Sequence, residues 1–261
     1  MLRALWTAAT GMTAQQENID IISNNIANVN TTGYKKMRPA FQDLVYQTVE
    51  QPGVPTSDTT QNPSGKQVGL GTRIAGTYGI FSQGNLIKTD RQLDIAIDGD
   101  GFFKILLPDG TEAYTRDGNF KLDKDGRIVT AMGYPLSPQI TIPPNAIQIS
   151  ISPDGIVVAI LDDNTTTELG RITLVKFINS AGLKRIGDNL YIKTDASGDP
   201  IEANPGTQGL GILRQGFLEA SNVDIVEEMI NLITAQRAYE FNAKAIRAGD
   251  EMLKTAANLR P

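Results

Sequence analysis

The most constraining feature of the sequence is a periodic seam near its C-terminus. From residue 225 to residue 257, the seam positions follow each other in alternating steps of four and three, which is the heptad spacing of packed helices. The seam consists of Ile225, Met229, Leu232, Gln236, Tyr239, Ala243, Ile246, Asp250, Leu253 and Ala257. A second apolar row, Val226, Ile230 and Ile233, follows the first half of the same segment. We therefore predict a long C-terminal helix that needs more than one neighbour.

A second helical period lies at the N-terminus and predicts an amphipathic helix of about 28 residues, roughly 42 Å long. Its stripe consists of Leu2, Leu5, Ala9, Met12, Ile19 and Ile26, with Gln16 and Ser23 as polar interruptions. No segment between the two ends has a helical period. At about 0.8 kcal/mol per buried CH2, half-solvated apolar rows would forfeit several kcal/mol. The sequence therefore predicts that the terminal helices associate with other copies of the chain.

The central part of the chain shows strand signals. Six Asp-Gly pairs separate short β-branched or aromatic runs such as "FFKILL" and "IVVAI", a spacing that predicts hairpins in an antiparallel sheet or barrel. The pairs are Asp98-Gly99, Asp100-Gly101, Asp109-Gly110, Asp117-Gly118, Asp125-Gly126 and Asp154-Gly155. The predicted fold class is α+β, with long N- and C-terminal helices forming a coiled-coil-like domain and a central antiparallel β-rich domain.

Four segments follow from these patterns. Residues 1–32 form the N-terminal helix of the helical domain, 33–71 an extended linker, 72–219 the β-rich domain and 220–261 the C-terminal helix. Within the linker, residues 47–69 are rich in Pro, Gly, Ser and Thr, which favours a flexible surface loop. A loop longer than about 15 residues is uncommon unless it is functional or disordered.

The segment "NNIANVNTTGYKK", residues 24–36, crowds asparagines onto the end of the first helix. No charged residue occurs from Ile21 through Tyr34, and an amide-lined face suits burial because Asn donates and accepts without the desolvation cost of a charge. Capping of the helix end ahead of Gly33 is the alternative, above all for Asn30. We predict subunit contacts at Gln16, Asn24, Asn25, Asn28, Asn30, Gly33, Tyr34, Ile225, Met229, Leu232, Gln236, Tyr239 and Ile246.

Two further expectations refine this set of residues. Asn24 and Asn28 are the strongest candidates for contacts between subunits, because they lie opposite the apolar stripe of the first helix. Gln16 and Gln236 interrupt apolar seams, and a pair of such amides within or between subunits would fix the axial register, as a buried polar residue does in coiled coils.

The composition excludes several functional classes. A formal charge of −5, with no basic cluster beyond Lys35, Lys36 and Arg38, argues against nucleic acid as a partner. The chain contains no cysteine and no histidine, so thiol nucleophiles, imidazole bases and the usual zinc sites cannot be built. The N-terminus lacks the pattern of a cleaved signal peptide, and no stretch approaches the roughly 20 apolar residues of a membrane span. We expect no cofactor, no metal and no membrane insertion.

Two carboxylate pairs are candidates for a chemical site. Asp98 with Asp100, or Asp123 with Asp125, could serve a glycosidase-like reaction, but Asp-Gly pairs at hairpin spacing are far more often turns. The segment "DKDG" imitates part of an EF-hand loop, yet Lys121 and Met132 occupy its first and twelfth ligand positions. We predict that the chain is not an enzyme and that both features are turns.

The two terminal signatures carry a resemblance to a known family. "SNNIANVNTTGYKK" beside the N-terminal helix and "EEMINLITAQRAYEFNAKAIRAGDEML" near the C-terminus resemble the axial proteins of the bacterial flagellum, the rod, hook and hook-associated subunits. The strands "DIAIDGDGFFKI" and "YTRDGNF" match this pattern as well, so the resemblance covers the whole chain. The segment "VYQTVEQPGVPTSDTTQNPSGKQVGLGT" resembles the insertion that distal rod subunits carry. A proximal rod subunit or a short hook-type subunit is the alternative.

The resemblance implies a structural subunit that polymerises helically into a rigid hollow drive shaft and serves as an export channel. Its implied partners are further copies of the chain, proximal rod and hook subunits, the surrounding ring proteins, the flagellar type III export apparatus and a rod cap. Its implied location is the rod that spans the periplasm, reached without a cleaved signal peptide. A soluble coiled-coil adhesin or scaffold would share the heptads but would form a closed oligomer.

Overall fold

The computed structural model describes residues 2–52, 55–57, 60–61, 64–163 and 165–258. These residues divide into two compact units, each described by itself. The helical unit comprises Met1–Ile26, Met37–Tyr78 and Ile225–Pro261, and the β unit comprises Ala27–Lys36 and Gly79–Asp224. The α+β class predicted from the sequence is confirmed, with one long helix near each end of the chain and antiparallel strands between them.

The helical unit contains both long helices and a run of short strands. Helix α1 spans Leu2–Ala27 and helix α2 spans Ile225–Asn258, so both predicted helices are confirmed. The strands of this unit are β1 (Met37–Asp43), β2 (Tyr46–Glu50), β3 (Pro55–Ser57), β4 (Thr60–Gln61), β5 (Lys66–Gly69) and β6 (Thr72–Gly79). None of the helices in the described part of the chain is both long enough and apolar enough to span a membrane.

The predicted loop at residues 47–69 is wrong for the part that the structure describes. Strand β1 pairs with β6, β2 pairs antiparallel with β5, and β3 pairs antiparallel with β4. The segment is therefore an antiparallel ribbon. Every residue of β2 is exposed, so its sequence lacks the apolar alternation by which a half-buried strand is recognised. Residues 53–54, 58–59 and 62–63 lie outside the described residues.

The β unit is built on a six-stranded antiparallel sheet in the order β17-β18-β10-β9-β16-β19 and a three-stranded sheet β13-β14-β15. The remaining strands form the pairs β20-β8, β21-β7 and β11-β12. Their bounds are β7 (Leu86–Lys88), β8 (Ile95–Asp98), β9 (Phe102–Leu106), β10 (Glu112–Thr115), β11 (Lys121–Leu122), β12 (Ile128–Val129), β13 (Ala146–Ile151), β14 (Ile156–Leu161), β15 (Thr166–Arg171), β16 (Leu174–Lys176), β17 (Lys184–Gly187), β18 (Leu190–Ile192), β19 (Ile201–Ala203), β20 (Ile212–Gln215) and β21 (Phe217–Glu219).

Strand β9 separates two hydrophobic clusters because successive side chains of a strand point to opposite faces. Phe103 belongs to the larger aliphatic cluster and packs edge-on against Phe120, with 5.1 Å between the ring centroids. Phe102 belongs to a smaller, mainly aromatic cluster that includes Tyr114 and Tyr191. Both faces of this strand are therefore buried, which explains its continuous apolar sequence.

The six Asp-Gly pairs divide into two groups. Asp109-Gly110, Asp125-Gly126 and Asp154-Gly155 connect strands that pair with each other, so these predicted hairpins are confirmed. The other three do not connect paired strands, because β8 pairs with β20 and β9 pairs with β10 and β16. Gly118 allows a close approach of two backbone segments, because a Cβ at this position would lie 1.7 Å from the carbonyl oxygen of Ile95.

Candidate functional site

Helices α1 and α2 run antiparallel with a constant register. A Cβ added at Gly11 would lie 2.8 Å from Nδ2 of Asn242, and one added at Gly249 would lie 2.6 Å from Cδ2 of Leu5. Small residues thus allow the close approach of the two helices at both levels. In the pair Gly11 and Asn242 the residue numbers sum to 253, and in the pair Leu5 and Gly249 they sum to 254. A nearly constant sum is expected for two antiparallel helices that keep the same register along their length.

Asn25 holds the start of β1 against the helices. Its Nδ2 donates to the carbonyl oxygen of Met37 and its Oδ1 accepts from the Met37 N–H, both at 2.9 Å. The same Nδ2 lies 3.3 Å from Oε2 of Glu228 on α2, and both side chains are buried. The amide of Asn25 therefore imitates a strand partner for the backbone of Met37 and also supplies a hydrogen bond to a buried carboxylate. Contact of Asn25 with a second subunit remains a prediction.

The rest of the asparagine segment shows a mixture of placements. Asn24 and Asn30 are exposed, while Asn28 is half-buried and accepts a 3.2 Å hydrogen bond from the Thr31 hydroxyl. Asn28 therefore contributes to the turn that follows α1. Contacts of Asn24, Asn28 and Asn30 with a second subunit remain predictions.

Gly33 and Tyr34 are buried within the β unit, and contacts of either residue with a second subunit remain predictions. Gly33 has φ +67°, and its N–H donates to the carbonyl oxygen of Glu219 at 2.8 Å. The guanidinium of Arg185 lies over the ring of Tyr34, 5.4 Å from its centroid. Both residues fix the path of the chain after the turn.

A buried ionic cluster lies beside this segment and was not anticipated from the sequence. Nζ of Lys35 donates to Oε1 of Glu219 at 2.6 Å and to the Ser82 carbonyl oxygen at 2.8 Å. Nη1 of Arg116 lies 3.4 Å from Oε2 of Glu219. Lys35, Arg116 and Glu219 are all buried. Burial lowers the pKa values of Lys35 and Arg116, while the charge of Glu219 opposes this shift in both.

Some residues of the predicted seam of α2 are half-buried and others are exposed. Leu232, Tyr239 and Ile246 are half-buried, and the fully buried positions of the helix are Glu228, Ala235 and Gly249. Ile225, Met229 and Gln236 are exposed, as is Gln16 on α1. A pairing of the Gln16 and Gln236 amides within this chain is not favoured by their exposure, and a pairing between subunits remains a prediction.

The first half of α2 carries an exposed apolar surface, which we call the outer row. It consists of Ile225, Val226, Met229, Ile230 and Ile233, whose exposed fractions lie between 46% and 66%. At 100° per residue these five positions cover an arc of roughly 140°, centred roughly opposite the buried positions Glu228 and Ala235. Because α1 packs on the buried side of α2, the outer row faces away from α1. Exposed apolar surfaces of this kind are typical of sites of association, and contact of the outer row with a second subunit remains a prediction.

The carboxylates that are candidates for catalysis or calcium binding are paired with basic side chains. Asp98 lies 2.7 Å from Arg214, and Asp100 lies 3.1 Å from Lys176. Asp123 and Asp125 both accept from Nη2 of Arg127 at 3.0 Å. These pairs compensate the charges that a cation or a substrate would otherwise meet.

Comparisons with known proteins agree with the terminal signatures. Residues 5–35 match the family described as flagella basal body rod protein, 96–159 match the flagellar hook protein FlgE/F/G D1 domain, and 214–259 match the flagellar basal body rod FlgEFG protein C-terminal family. The chain is thus an axial protein of the flagellar rod and hook type.

Relatives that match the full length of the chain identify its family more narrowly. The flagellar basal-body rod protein FlgG of Borreliella burgdorferi is 55% identical over 100% of this chain and 99% of its own length. FlgG of Bacillus subtilis is 44% identical over 100% of both chains, whereas FlhP of the same organism, a flagellar hook-basal body complex protein, is 33% identical over 100% of both. The chain belongs to the FlgG family of flagellar basal-body rod proteins.

Proposed function

We propose that this chain is the structural subunit of the flagellar distal rod and polymerises helically through its helical unit. The observation that carries the proposal is the outer row, five exposed apolar side chains on the face of α2 that α1 does not cover. Membership of the FlgG family, the distal rod subunits, supports the distal position over a proximal rod or short hook-type subunit.

The polymer would be a rigid hollow shaft that transmits torque from motor to hook and lets exported subunits pass through its centre. Its neighbours would be proximal rod and hook subunits at the two ends, ring proteins around it, and the export apparatus and rod cap during growth. Its place would be the periplasmic part of the basal body. A shaft requires no chemistry of its side chains, and the charge pairs at Asp98 and Asp100 fit a non-enzymatic role.

The test compares two exposed isoleucines that lie in different units. Ile230→Glu places a charge in the outer row, and Ile147→Glu places the same charge at a 64% exposed site of the β unit. If a neighbour covers the row, an uncompensated buried charge costs about 3 to 5 kcal/mol, which raises the critical concentration for polymerisation by a factor of about a hundred or more. Ile147→Glu should polymerise like the parent chain.

Sedimentation and electron microscopy of the purified proteins measure polymerisation, and circular dichroism checks that the monomers remain folded. A parent chain that stays monomeric at every concentration would contradict self-assembly. Equal polymerisation of Ile230→Glu and the parent chain would show that the outer row is not part of the contact between subunits.

A further inference from the structure

The chain passes between its two units at several points along the sequence, after residues Ile26, Lys36, Tyr78 and Asp224. Three stretches of the β unit lead to such points, and we call them the connecting segments: residues 34–36, 80–84 and 219–222. They lie between regular elements, since 34–36 precede β1, 80–84 separate β6 from β7, and 219–222 run from the last residue of β21 toward α2. Loop segments that join two compact units are where hinge motion is normally found.

The amide of Asn222 bonds to the other two connecting segments at once. Its Oδ1 accepts from the Lys36 N–H at 2.7 Å, and its Nδ2 donates to the carbonyl oxygens of Ile80 and Ser82 at 2.8 and 3.1 Å. The Ile80 N–H donates in turn to the Lys36 carbonyl oxygen at 2.9 Å. Because the amide is planar and its side chain is short, these bonds hold the three backbones at a fixed spacing. One half-buried side chain therefore supplies the cross-links that a sheet would otherwise provide.

The carboxylate of Glu219 connects the same segments a second time. Its Oε1 accepts from Nζ of Lys35 at 2.6 Å and from the N–H of Gly84 at 2.8 Å. Nζ of Lys35 also donates to the Ser82 carbonyl oxygen at 2.8 Å. A Cβ added at Gly84 would lie 2.1 Å from the carbonyl oxygen of Ala220, so the backbones of two connecting segments touch here. The connecting segments therefore form one cross-linked junction within the β unit.

The two cross-links differ in what their loss would do to the fold. Lys35 and Glu219 are buried and charged, so removing either one leaves an uncompensated charge and threatens the fold of the β unit. Asn222 is half-buried and uncharged, so its truncation exposes ordinary backbone groups to water at a smaller cost. Asn222 is therefore the residue at which the junction can be loosened while the β unit stays folded.

We propose that the amide of Asn222 turns a potential hinge into a stiff connection, because it keeps the connecting segments from moving independently when torque passes from one unit to the other. Without these bonds each segment could change its backbone angles separately, as loop residues do in a hinge. This inference rests on the proposed function as a shaft and names the residue on which the stiffness of each subunit depends.

The test compares Asn222→Ala with Gln215→Ala. The amide of Gln215 donates to the carbonyl oxygens of Gln92 and Ile149 at 2.8 Å each and accepts from the Ile151 N–H at 3.0 Å. Its bonds resemble those of Asn222 in type and length, but they involve residues outside the connecting segments. Both variants lose a comparable set of bonds, so a general loss of stability affects them alike. Asn222→Leu keeps the branched shape of the side chain without its hydrogen bonds and serves as a second variant should Asn222→Ala fold poorly.

Hydrogen exchange and polymer stiffness are measured on each purified protein. Asn222→Ala should speed backbone exchange in residues 34–36 and 80–84 by a factor of about 5 to 100, the effect of losing one hydrogen bond to a buried group. Exchange in β9 and β10 should stay unchanged, and Gln215→Ala should speed exchange around Ile149 and Ile151 instead. In electron micrographs, polymers of Asn222→Ala should have a shorter persistence length than polymers of the parent chain, whereas those of Gln215→Ala should match the parent.

The outcomes separate this inference from the proposed function. Faster exchange in the connecting segments together with more flexible polymers, in Asn222→Ala but not in Gln215→Ala, supports the inference. Unchanged exchange in the connecting segments, or polymers of Asn222→Ala as stiff as those of Gln215→Ala, would overturn it while leaving the proposed function intact. A parent chain that never polymerises would contradict the proposed function, and with it the role of Asn222 under torque.

Discussion

The carboxylate of Glu219 lies 2.6 Å from the ammonium of Lys35, and neither side chain has any exposed surface. A buried pair at this distance loses the hydration of both charges, and removing one partner leaves the other charge uncompensated. Glu219 has a second basic neighbour in Arg116, so its loss would leave two buried cations without the carboxylate that they contact. The single carboxylate thus holds the segment after α1 to the end of β21.

We predict that Glu219→Gln destabilises the β unit by about 3 to 5 kcal/mol, the cost of breaking a buried ion pair. Urea denaturation followed by circular dichroism measures the change. Asp199→Asn is the matched control, because Asp199 faces Lys193 at 3.6 Å in a pair that is mostly exposed. Exposed pairs contribute little, so the control should unfold like the parent chain. Equal midpoints for the two variants would show that the buried cluster is not needed for stability.

The backbone at Gly33 provides a second prediction. Gly33 has φ +67°, and a Cβ there would lie 2.7 Å from the backbone of Arg116 and Asp117. Gly110 has φ +80° but open space around the same position. Gly110→Ala should cost about 1 to 2 kcal/mol from left-handed backbone strain alone. Gly33→Ala should cost distinctly more, because backbone atoms must move as well.

Unfolding free energies of the two glycine variants isolate the effect of the close approach. Since both substitutions place a side chain at a left-handed backbone position, their difference in unfolding free energy reports the clash with the backbone of Arg116 and Asp117. A Gly33→Ala protein as stable as Gly110→Ala would mean that this backbone moves without cost.

The sequence predicts the elements whose pattern is local. The periods of α1 and α2 give both helices to within a few residues, and three Asp-Gly turns give hairpins, because side-chain spacing and turn chemistry act over short stretches. The ribbon around β2 is missed because its strands cover no core and show no alternation.

The interior polar contacts are not predictable in the same way. Lys35 and Glu219 are separated by 184 positions, and nothing in the residues around either one indicates a buried partner. Asn25 lies among other asparagines of similar local sequence, and its amide forms two hydrogen bonds with the backbone of Met37. Tertiary packing selects one amide from a cluster, and this choice depends on where β1 begins rather than on helical periodicity.

A third prediction concerns alkaline pH. Burial raises the pKa of Tyr114, with a contribution from its hydrogen bond to Glu112, and burial also raises the pKa of Tyr191 against the opposing charge of Arg185. Both tyrosines keep their protons in the folded state beyond the pH of about 10 at which they ionise in the unfolded chain. Their contribution is therefore fully present below about pH 10 and is lost as the pH rises above that value.

We expect the free energy of unfolding to fall above about pH 10 and to fall less steeply in Tyr114→Phe, which removes one of the two ionisations. Urea denaturation at a series of pH values measures the slope, and phenolate absorbance shows when the tyrosines ionise. Ionisation of all seven tyrosines before any loss of folded structure would contradict the protection of Tyr114 and Tyr191.

The last prediction separates folding from assembly at two adjacent asparagines. Asn25→Ala removes both partners of the Met37 backbone, and unsatisfied buried polar groups cost about 1 to 3 kcal/mol each. The helical unit of this variant should therefore unfold at lower urea concentration than in the parent. Asn24→Ala combined with Asn28→Ala should leave that stability nearly unchanged, since Asn24 is exposed, and should reduce polymerisation. The comparison separates the two roles, because Asn25 acts within the monomer and Asn24 would act between copies. Normal polymerisation of the Asn24→Ala, Asn28→Ala double variant would mean that these two asparagines serve only the turn after α1.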